Sequence, residues 1–153
     1  MRESSYHEPV LVEEVLGTWA GDPHGRYLDG TIGGGGHAEA LLVRHPHAEL
    51  IGLDRDPAAL EESSRRLARY GSRVRLERAD FADIEEVLRR LGGPEIRGIL
   101  LDLGVSSHQL DDVRRGFSYL ADGPLRLVLD RDATAGAAEY LAAVEEGELR
   151  RVF

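Results

Sequence analysis

The sequence predicts an α/β protein built on a partial parallel sheet of about four strands with flanking helices. Short apolar segments alternate with segments of helical periodicity from residue 26 to residue 103, which is the pattern of repeated strand–helix units. The apolar segments are short enough to be strands buried on both faces, and this favours a parallel arrangement. Ligands of such sheets bind at the carboxyl ends of the strands.

The elements follow from their local patterns. The spacing of the apolar residues from Val10 to Leu16 predicts a first helix. The predicted strands are residues 26–29, 49–54, 74–78 and 98–103, and the helices between them are residues 37–44, 57–70 and 83–91. Pro57 suits the first turn of its helix, because a residue there needs no N–H.

The alternation stops after Leu103. Residues 104–133 are predicted to be loop, and residues 134–153 one or two short helices separated near residues 145–147. No internal repeat or linker rich in proline or serine interrupts the chain, so we expect residues 1–153 to form a single domain. A complete nucleotide-binding sheet of roughly six strands does not fit into this length. We therefore expect half of a larger fold.

Composition excludes several classes of protein. The chain has 153 residues, a formal charge of −9 and no cysteine. It therefore has no disulfide or cysteine-ligated metal, and it lacks the cation surplus of an electrostatic nucleic-acid binder. No apolar run approaches the roughly 18 residues of a membrane span, so we expect a cytoplasmic protein. His7 and His37 have no partners at metal-ligand spacing, and no metal is assigned.

A glycine-rich turn follows the first predicted strand. It runs from Asp29 to His37 and leads into the next helix, where glycines allow the backbone to approach a bound ligand closely. Asp54 ends the next strand, where a carboxylate can bind the two ribose hydroxyls of a nucleoside. Together these features predict a nucleoside-cofactor site. An ordinary tight turn with a helix cap at residues 54–57 is the alternative.

The charge of Asp29 indicates which cofactor fits. Its carboxylate would repel a pyrophosphate and favour the cationic sulfonium and ammonium groups of S-adenosylmethionine. The glycine–lysine–serine/threonine ending of an ATP-binding loop is absent. Asp80 and Phe81 follow the third strand and can offer adenine an acceptor and an apolar face, although Phe81 could equally pack in the core. An oxidoreductase of the NAD type is disfavoured by Asp29 and not excluded by the glycines.

Two polar clusters follow the fourth strand. Residues 102–111 carry carboxylate, hydroxyl and amide groups at the place where the strand would deliver them over the cofactor site. Arg114 and Arg115 precede Phe117 and Tyr119, a combination suited to phosphate contacts and base stacking in RNA. Helix caps and turns explain the first cluster equally well, and a solvated loop with an aromatic anchor explains the second.

The motifs together resemble the MraW family, also called RsmH, of bacterial methyltransferases. The matching motifs are His7-x-Pro9-Val10-Leu11 with Glu14, Asp29-Gly-Thr with Gly35-Gly36-His37, Asp54-x-Asp56, residues 102–111 and residues 115–125. The family uses S-adenosylmethionine to methylate N4 of a cytidine in 16S ribosomal RNA. The resemblance therefore implies a Rossmann-like class I methyltransferase fold, that reaction, and the small ribosomal subunit as partner.

The resemblance also assigns residues to the site. By motif position, it implies cofactor contacts at Gly35, Gly36, His37, Asp54, Phe81, Asp102 and Gln109. Asp29 and Asp80 become secondary, and Asp102 is the candidate catalytic residue, as acceptor or orienter of the amine proton. We also expect that a Cβ on Gly35 would obstruct the donor while largely sparing the fold.

Two departures from the family pattern lower the methyl-transfer activity that we expect. Family members usually continue Gly-Pro-Leu into Asp-Met-Arg-Met-Asp, whereas Arg126-Leu-Val-Leu129 precedes Asp130 here. They are also about twice as long, with a helical substrate domain and further strands. We therefore expect this chain by itself to associate with a second copy and to transfer methyl groups near background. A non-catalytic donor-binding remnant or an interaction module is the alternative function.

Overall fold

The computed structural model of the chain describes residues 9–130 and 132–152. His7 of the family motif and Phe153 of the last predicted helix lie outside the described residues. The chain divides into two compact units, of which the first ends at Gly104 and the second begins at Val105. The single domain over residues 1–153 stays a prediction.

The first unit contains a four-stranded parallel sheet. Its strands are β1 (Arg26–Asp29), β2 (Glu49–Asp54), β3 (Val74–Arg78) and β4 (Gly98–Leu100). They lie in the order β3-β2-β1-β4, which is the order of the first four strands of a doubly wound sheet. The predicted fold class is therefore confirmed.

The strand order places a switch point beside β1. The chain moves outward from β1 to β3 and then returns to the other side of β1 as β4. Asp29, the last residue of β1, is in register with Gly52 of β2 and Leu100 of β4. A crevice opens at such a point because the flanking connections run to opposite faces of the sheet. The glycine-rich turn begins there.

Helices pack on both faces of the sheet. They are α1 (Val12–Trp19), α2 (Gly36–Arg44), α3 (Pro57–Leu67) and α4 (Ile84–Arg90). The first three contribute to a core cluster that includes Tyr27 of β1, whereas Val87 of α4 packs in a second cluster with Leu28. Neighbouring residues of β1 thus enter opposite clusters, as the alternation of a strand requires.

Three of the four predicted strands have the observed bounds, and three other elements are shorter than predicted. α4 lacks one residue at each end, whereas β4 and α3 differ more. β4 ends at Leu100 rather than at residue 103, and the Asp102 N–H donates instead to the Thr31 hydroxyl at 2.7 Å. α3 ends at Leu67 and continues in the 3-10 conformation, in which Gly71 has a φ of 57°. The left-handed conformation of Gly71 ends the helical path toward β3.

The second unit contains three short α-helices within residues 105–130 and 132–152. They are α5 (Ser107–Asp111), α6 (Ala137–Ala143) and α7 (Glu146–Val152). The two helices predicted for the last stretch are present, but α5 and a 3-10 turn at Val113–Arg115 lie in the segment predicted to be loop. No helix among the described residues is long and apolar enough to cross a membrane.

Gly98 allows α1 to pack closely on β4. A Cβ there would lie 2.5 Å from the backbone oxygen of Trp19, so Gly98→Ala must displace the helix from the strand. We expect it to lower the free energy of unfolding by about 1–3 kcal/mol. Urea unfolding followed by the fluorescence of Trp19, the only tryptophan, measures the loss.

Gly17 on the exposed side of α1 is the matched control. A Cβ there meets no atom within 4 Å, so Gly17→Ala should leave stability unchanged or raise it by up to about 1 kcal/mol through helix propensity. Equal effects of the two substitutions would contradict close packing of α1 on β4.

Candidate functional site

The backbone of the glycine-rich turn is hydrogen-bonded to both strands that flank β1. The Gly30 N–H donates to the Leu100 carbonyl oxygen, and the Ile32 N–H donates to the Leu53 carbonyl oxygen, each at 2.9 Å. The Thr31 hydroxyl adds the bond from the Asp102 N–H noted above. The turn therefore holds the carboxyl ends of β1, β2 and β4 together.

The Asp54 carboxylate accepts a hydrogen bond from the backbone of this turn. Its Oδ2 accepts from the Gly33 N–H at 3.0 Å, and its Oδ1 accepts from the Asp56 N–H at 2.9 Å. Burial raises the pKa of Asp54 even though these donors lower it. A carboxylate has about four acceptor positions, so lone pairs remain for ribose hydroxyls. The cap of α3 is Asp56, which accepts from the Ala58 N–H at 3.0 Å.

Asp29 is a buried carboxyl group at the start of the turn, with 2 % of its surface exposed. Burial raises its pKa to about 7, because the charged form loses hydration. The Thr31 N–H donates to Oδ1 at 3.1 Å and lowers this pKa, whereas the negative charges of Asp102 and Asp54 raise it. The Asp54 and Asp102 carboxyl groups thus both act on Asp29 at the carboxyl edge of the sheet.

His37 and Asp102 approach each other across the turn. The Asp102 side chain is 47 % exposed, and its Oδ2 lies 3.9 Å from Nδ1 of His37, whose side chain is 8 % exposed. The other ring nitrogen of His37, Nε2, lies 2.8 Å from the Val10 carbonyl oxygen. Both ring nitrogens therefore face protein atoms, so a contact of His37 with a cofactor would come from its backbone.

Gly35 is required by its backbone conformation, and Gly36 is required by packing. Gly35 has a φ of 79°, and a Cβ on it would lie 3.4 Å from Ser63 and Leu67 of α3. A Cβ on Gly36 would lie 2.9 Å from the ring of Pro9. The expectation that a Cβ on Gly35 would largely spare the fold is wrong, because the φ of 79° is strained for a residue with a side chain. Obstruction of the ligand by that Cβ stays a prediction. A cofactor contact through the backbone of either glycine stays a prediction.

Phe81 and Asp80 lie at the end of β3. Phe81 is 42 % exposed, so core packing does not account for it. Its Cβ lies 3.3 Å from the position that a Cβ on Gly30 would take, which places the residue beside the turn. Asp80 accepts from the Ala82 N–H at 3.0 Å and pairs with Arg55 at 3.2 Å. Of the two adenine contacts considered, Phe81 is therefore the more available.

Gln109 belongs to the second unit and caps α5. Its Oε1 accepts from the Ser106 N–H at 3.0 Å, while the Ser106 hydroxyl accepts from the Gln109 N–H at 3.2 Å. This reciprocal pair is a capping box, for which Ser-x-x-Gln is a readable signal. The capping box explains the position of the Gln109 side chain within the second unit. A contact of Gln109 with the donor stays a prediction.

Arg115 is a buried structural residue of the second unit. It is 1 % exposed, its guanidinium donates to the Leu129 carbonyl oxygen, and it lies 3.6 Å from the Asp112 carboxylate. The prediction that it contacts RNA phosphate is wrong, because a buried guanidinium does not reach a polyanion in solvent. Arg114 is exposed and pairs with Asp112 at 2.8 Å, and Tyr119 is exposed.

The residues that depart from the family pattern fold against Arg115. Val128 is buried, and its N–H donates to the Arg115 carbonyl oxygen at 3.2 Å. Arg126 donates from Nη2 to the Ala133 carbonyl oxygen at 2.6 Å. Residues 126–129 thus have a structural role inside the second unit.

The fold and the site together define a class of protein. A parallel sheet that switches direction beside β1, a glycine-rich turn at that switch and a carboxylate at the end of β2 are features of Rossmann-like α/β proteins that bind nucleosides. Among residues 9–130 and 132–152, no group of three or more histidine, aspartate or glutamate side chains could hold a metal ion. The chain belongs to the MraW methylase family, whose model matches residues 4–153.

The names of individual relatives agree with the assignment to this family. The chain is 48 % identical to the ribosomal RNA small subunit methyltransferase H of Trichlorobacter lovleyi, over 98 % of this chain and 48 % of that protein. Against the protein of the same name from Syntrophotalea carbinolica the identity is 47 %, over 99 % and 49 %. The chain thus spans about half the length of the curated relatives it matches.

A solved structure of coclaurine N-methyltransferase, bound to N-methylheliamine and SAH, is 13 % identical with a TM-score of 0.42. The match covers 45 % of this chain and 21 % of that one. This likeness is too distant to bear on function.

The buried Asp29 carboxyl makes stability depend on pH. Its folded pKa of about 7 exceeds the unfolded value of about 3.9. Between these values the folded chain holds a proton that the unfolded chain has released, so this group's contribution to stability falls as pH rises from about 4 to 7. Asp29→Asn removes the titration and keeps an oxygen for the Thr31 N–H. We expect the variant to exceed the parent in unfolding free energy at pH 8 by up to about 4 kcal/mol.

Urea unfolding at pH 4, 6 and 8 tests this dependence. The advantage of Asp29→Asn should be smallest near pH 4, where the parent carboxyl is neutral in the folded chain and about half ionised in the unfolded chain. Asp83→Asn is the control, because Asp83 is exposed at the start of α4 and makes no side-chain cap bond. A stability difference for Asp29→Asn that is the same at every pH would contradict the assigned burial effect.

Proposed function

We propose that the chain binds S-adenosylmethionine at the glycine-rich turn. The observation that carries the proposal is the buried Asp29 carboxyl group at the carboxyl edge of the sheet, on which the negative charges of Asp54 and Asp102 act. Negative charge there opposes the pyrophosphate of a dinucleotide and attracts the sulfonium and ammonium groups of a methyl donor. The methyltransferase names of the relatives support the same choice.

The proposed placement follows the geometry of the first unit. Asp54 accepts hydrogen bonds from the ribose hydroxyls with the lone pairs that Gly33 and Asp56 leave unused. Phe81, exposed beside Gly30, contacts the adenine ring. The backbone of residues 35–37 lines the donor, and Asp102 lies near its methionine end, as the resemblance to the family implies.

We further propose that the donor methyl goes to N4 of a cytidine in 16S ribosomal RNA. The amine nitrogen attacks the methyl carbon in line with the sulfur, so that a C–N bond forms as the C–S bond breaks. The amine then gives up a proton. Asp102 is the proposed acceptor or orienter of that proton, because its carboxylate is half exposed at the end of β4 while its backbone is held by Thr31. The relatives, named as small-subunit ribosomal RNA methyltransferases, support this substrate and with it a cytoplasmic location.

The second candidate function is donor binding or protein association without methyl transfer. Among the described residues, β4 has no hydrogen-bonded strand on its outer side, and Ile99 within it is 50 % exposed. An open strand edge with apolar side chains favours pairing with another polypeptide, including a second copy of this chain. This observation supports an assembly role whether or not transfer occurs.

Calorimetry tests the donor proposal. We expect micromolar binding of S-adenosylmethionine or its demethylated product and none of NADH. Asp54→Asn should weaken donor binding by on the order of 1.5–3 kcal/mol, because a charged acceptor is lost. Asp83→Asn removes the same charge from an exposed position and should bind as the parent does. Binding of NADH in place of the donor would contradict the proposal.

Transfer of labelled methyl separates the two candidate functions. Small ribosomal subunits are incubated with tritiated donor, and label in cytidine N4 of 16S ribosomal RNA supports transfer. For this chain by itself we expect label near background and association in sedimentation, because β4 is open and a net charge of −9 attracts ribosomal RNA weakly. Full turnover by a monomer would contradict that expectation.

A further inference from the structure

The ring of His37 joins two segments that are distant in sequence. Its Nε2 lies 2.8 Å from the carbonyl oxygen of Val10, which precedes α1. Its Nδ1 lies 3.9 Å from Oδ2 of Asp102, which follows β4. The side chain is 8 % exposed, so these two neighbours govern its orientation. The orientation of the His37 ring is thus determined by protein atoms in the absence of a ligand.

The bond to Val10 determines the tautomer of the neutral ring. A carbonyl oxygen can only accept, so Nε2 must carry the hydrogen. Nδ1 is the ring nitrogen that faces Asp102. The separation of 3.9 Å is longer than a hydrogen bond, and the two groups therefore lie side by side without a bond between them.

The segment that His37 holds is strained and closely packed. Leu11 has a φ of 51°, a left-handed conformation that costs an L-residue free energy and persists only where neighbours enforce it. The Leu11 carbonyl accepts the first helical bond of α1, from the Val15 N–H at 2.9 Å. Pro9 lies 2.9 Å from the position of a Cβ on Gly36. The segment 9–11 therefore lies across the start of α2, directly beside the glycine-rich turn.

We propose that His37 is a positioning residue of the donor site. Its Nε2–H donates to the Val10 carbonyl and so holds the segment 9–11 beside the turn, while its Nδ1 edge lies opposite the Asp102 carboxylate. The bond to Val10 opposes release of the strained segment, so the backbone around Gly36 is held in one arrangement. The effect of His37 on donor binding rests on the proposed function, whereas its bond to Val10 does not. This positioning role is distinct from a direct contact between the imidazole and the donor.

Two amide variants distinguish the roles of the two ring nitrogens of His37. The amide nitrogen of glutamine in His37→Gln can stand near the position of Nε2 and donate to the Val10 carbonyl. The amide of asparagine in His37→Asn is nearer to the position of Nδ1 and cannot reach Val10. The pair therefore differs in the one bond to which the proposal assigns the effect.

Hydrogen exchange of residues 11–19, measured without donor, is the first readout. We expect exchange about five- to tenfold faster in His37→Asn, the factor for one lost hydrogen bond, and within about twofold of the parent in His37→Gln. Thermal unfolding followed by Trp19 fluorescence shows that each variant is folded. Equal exchange in the two variants would overturn the proposal.

The ring nitrogens of the unaltered protein give a readout that needs no variant. The ¹⁵N shifts of His37 should show a hydrogen on Nε2, and a ring whose only hydrogen is on Nδ1 would overturn the proposal. Calorimetry then compares donor affinity, which should fall about five- to tenfold in His37→Asn and be restored in His37→Gln. Restoration of the bond without restoration of affinity would overturn the positioning role. If the parent protein binds no donor, the proposed function fails, while hydrogen exchange and the tautomer still decide how His37 holds the segment.

Discussion

The arrangement of the site depends on the hydrogen bonds that the glycine-rich turn makes with β2 and β4. A chain that leaves β1 at the switch point must find partners for its backbone polar groups. Gly30 and Ile32 find them on opposite sides, in the carbonyls of Leu100 and Leu53. The ends of three strands are thereby held in fixed relation. Each carboxyl group of the site lies at or just beyond one of these strand ends, so its position follows from the turn.

That geometry buries the Asp29 carboxyl group close enough to Asp54 and Asp102 for their negative charges to act on it. Asp29 shows the consequence most clearly, because its burial and its carboxyl neighbours raise its pKa to about 7. A core selected for stability alone would not bury a carboxyl group beside two other carboxyl groups, and a cost of this kind is typical of functional sites. A cationic ligand would relieve the repulsion, which is the physical link between the fold and a methyl donor. Membership of the MraW methylase family is consistent with this link.

Where the sequence predicted structure correctly, the deciding forces were local. β1 and β2 have the predicted bounds because charged residues or glycine border their apolar residues, and β3 because its apolar and charged residues alternate. β4 is shorter than predicted because the Asp102 N–H, which the prediction gave to a longer strand, donates to Thr31. α5 escaped prediction because its capping box lies in a polar segment that resembles loop, although Ser106 and Gln109 carry the signal.

The sequence by itself determined the class of fold, the carboxyl groups at the strand ends and the family, because these follow from periodicity and from motifs that are contiguous in the chain. Only the tertiary structure decided that Arg115 rather than Arg114 is buried, that a Cβ on Gly35 would face α3, and that both nitrogens of His37 face protein atoms. The direction of a side chain depends on which distant elements pack against it. Periodicity along the chain places a residue on an element, whereas the contacts made by its side chain exist only after the elements have assembled.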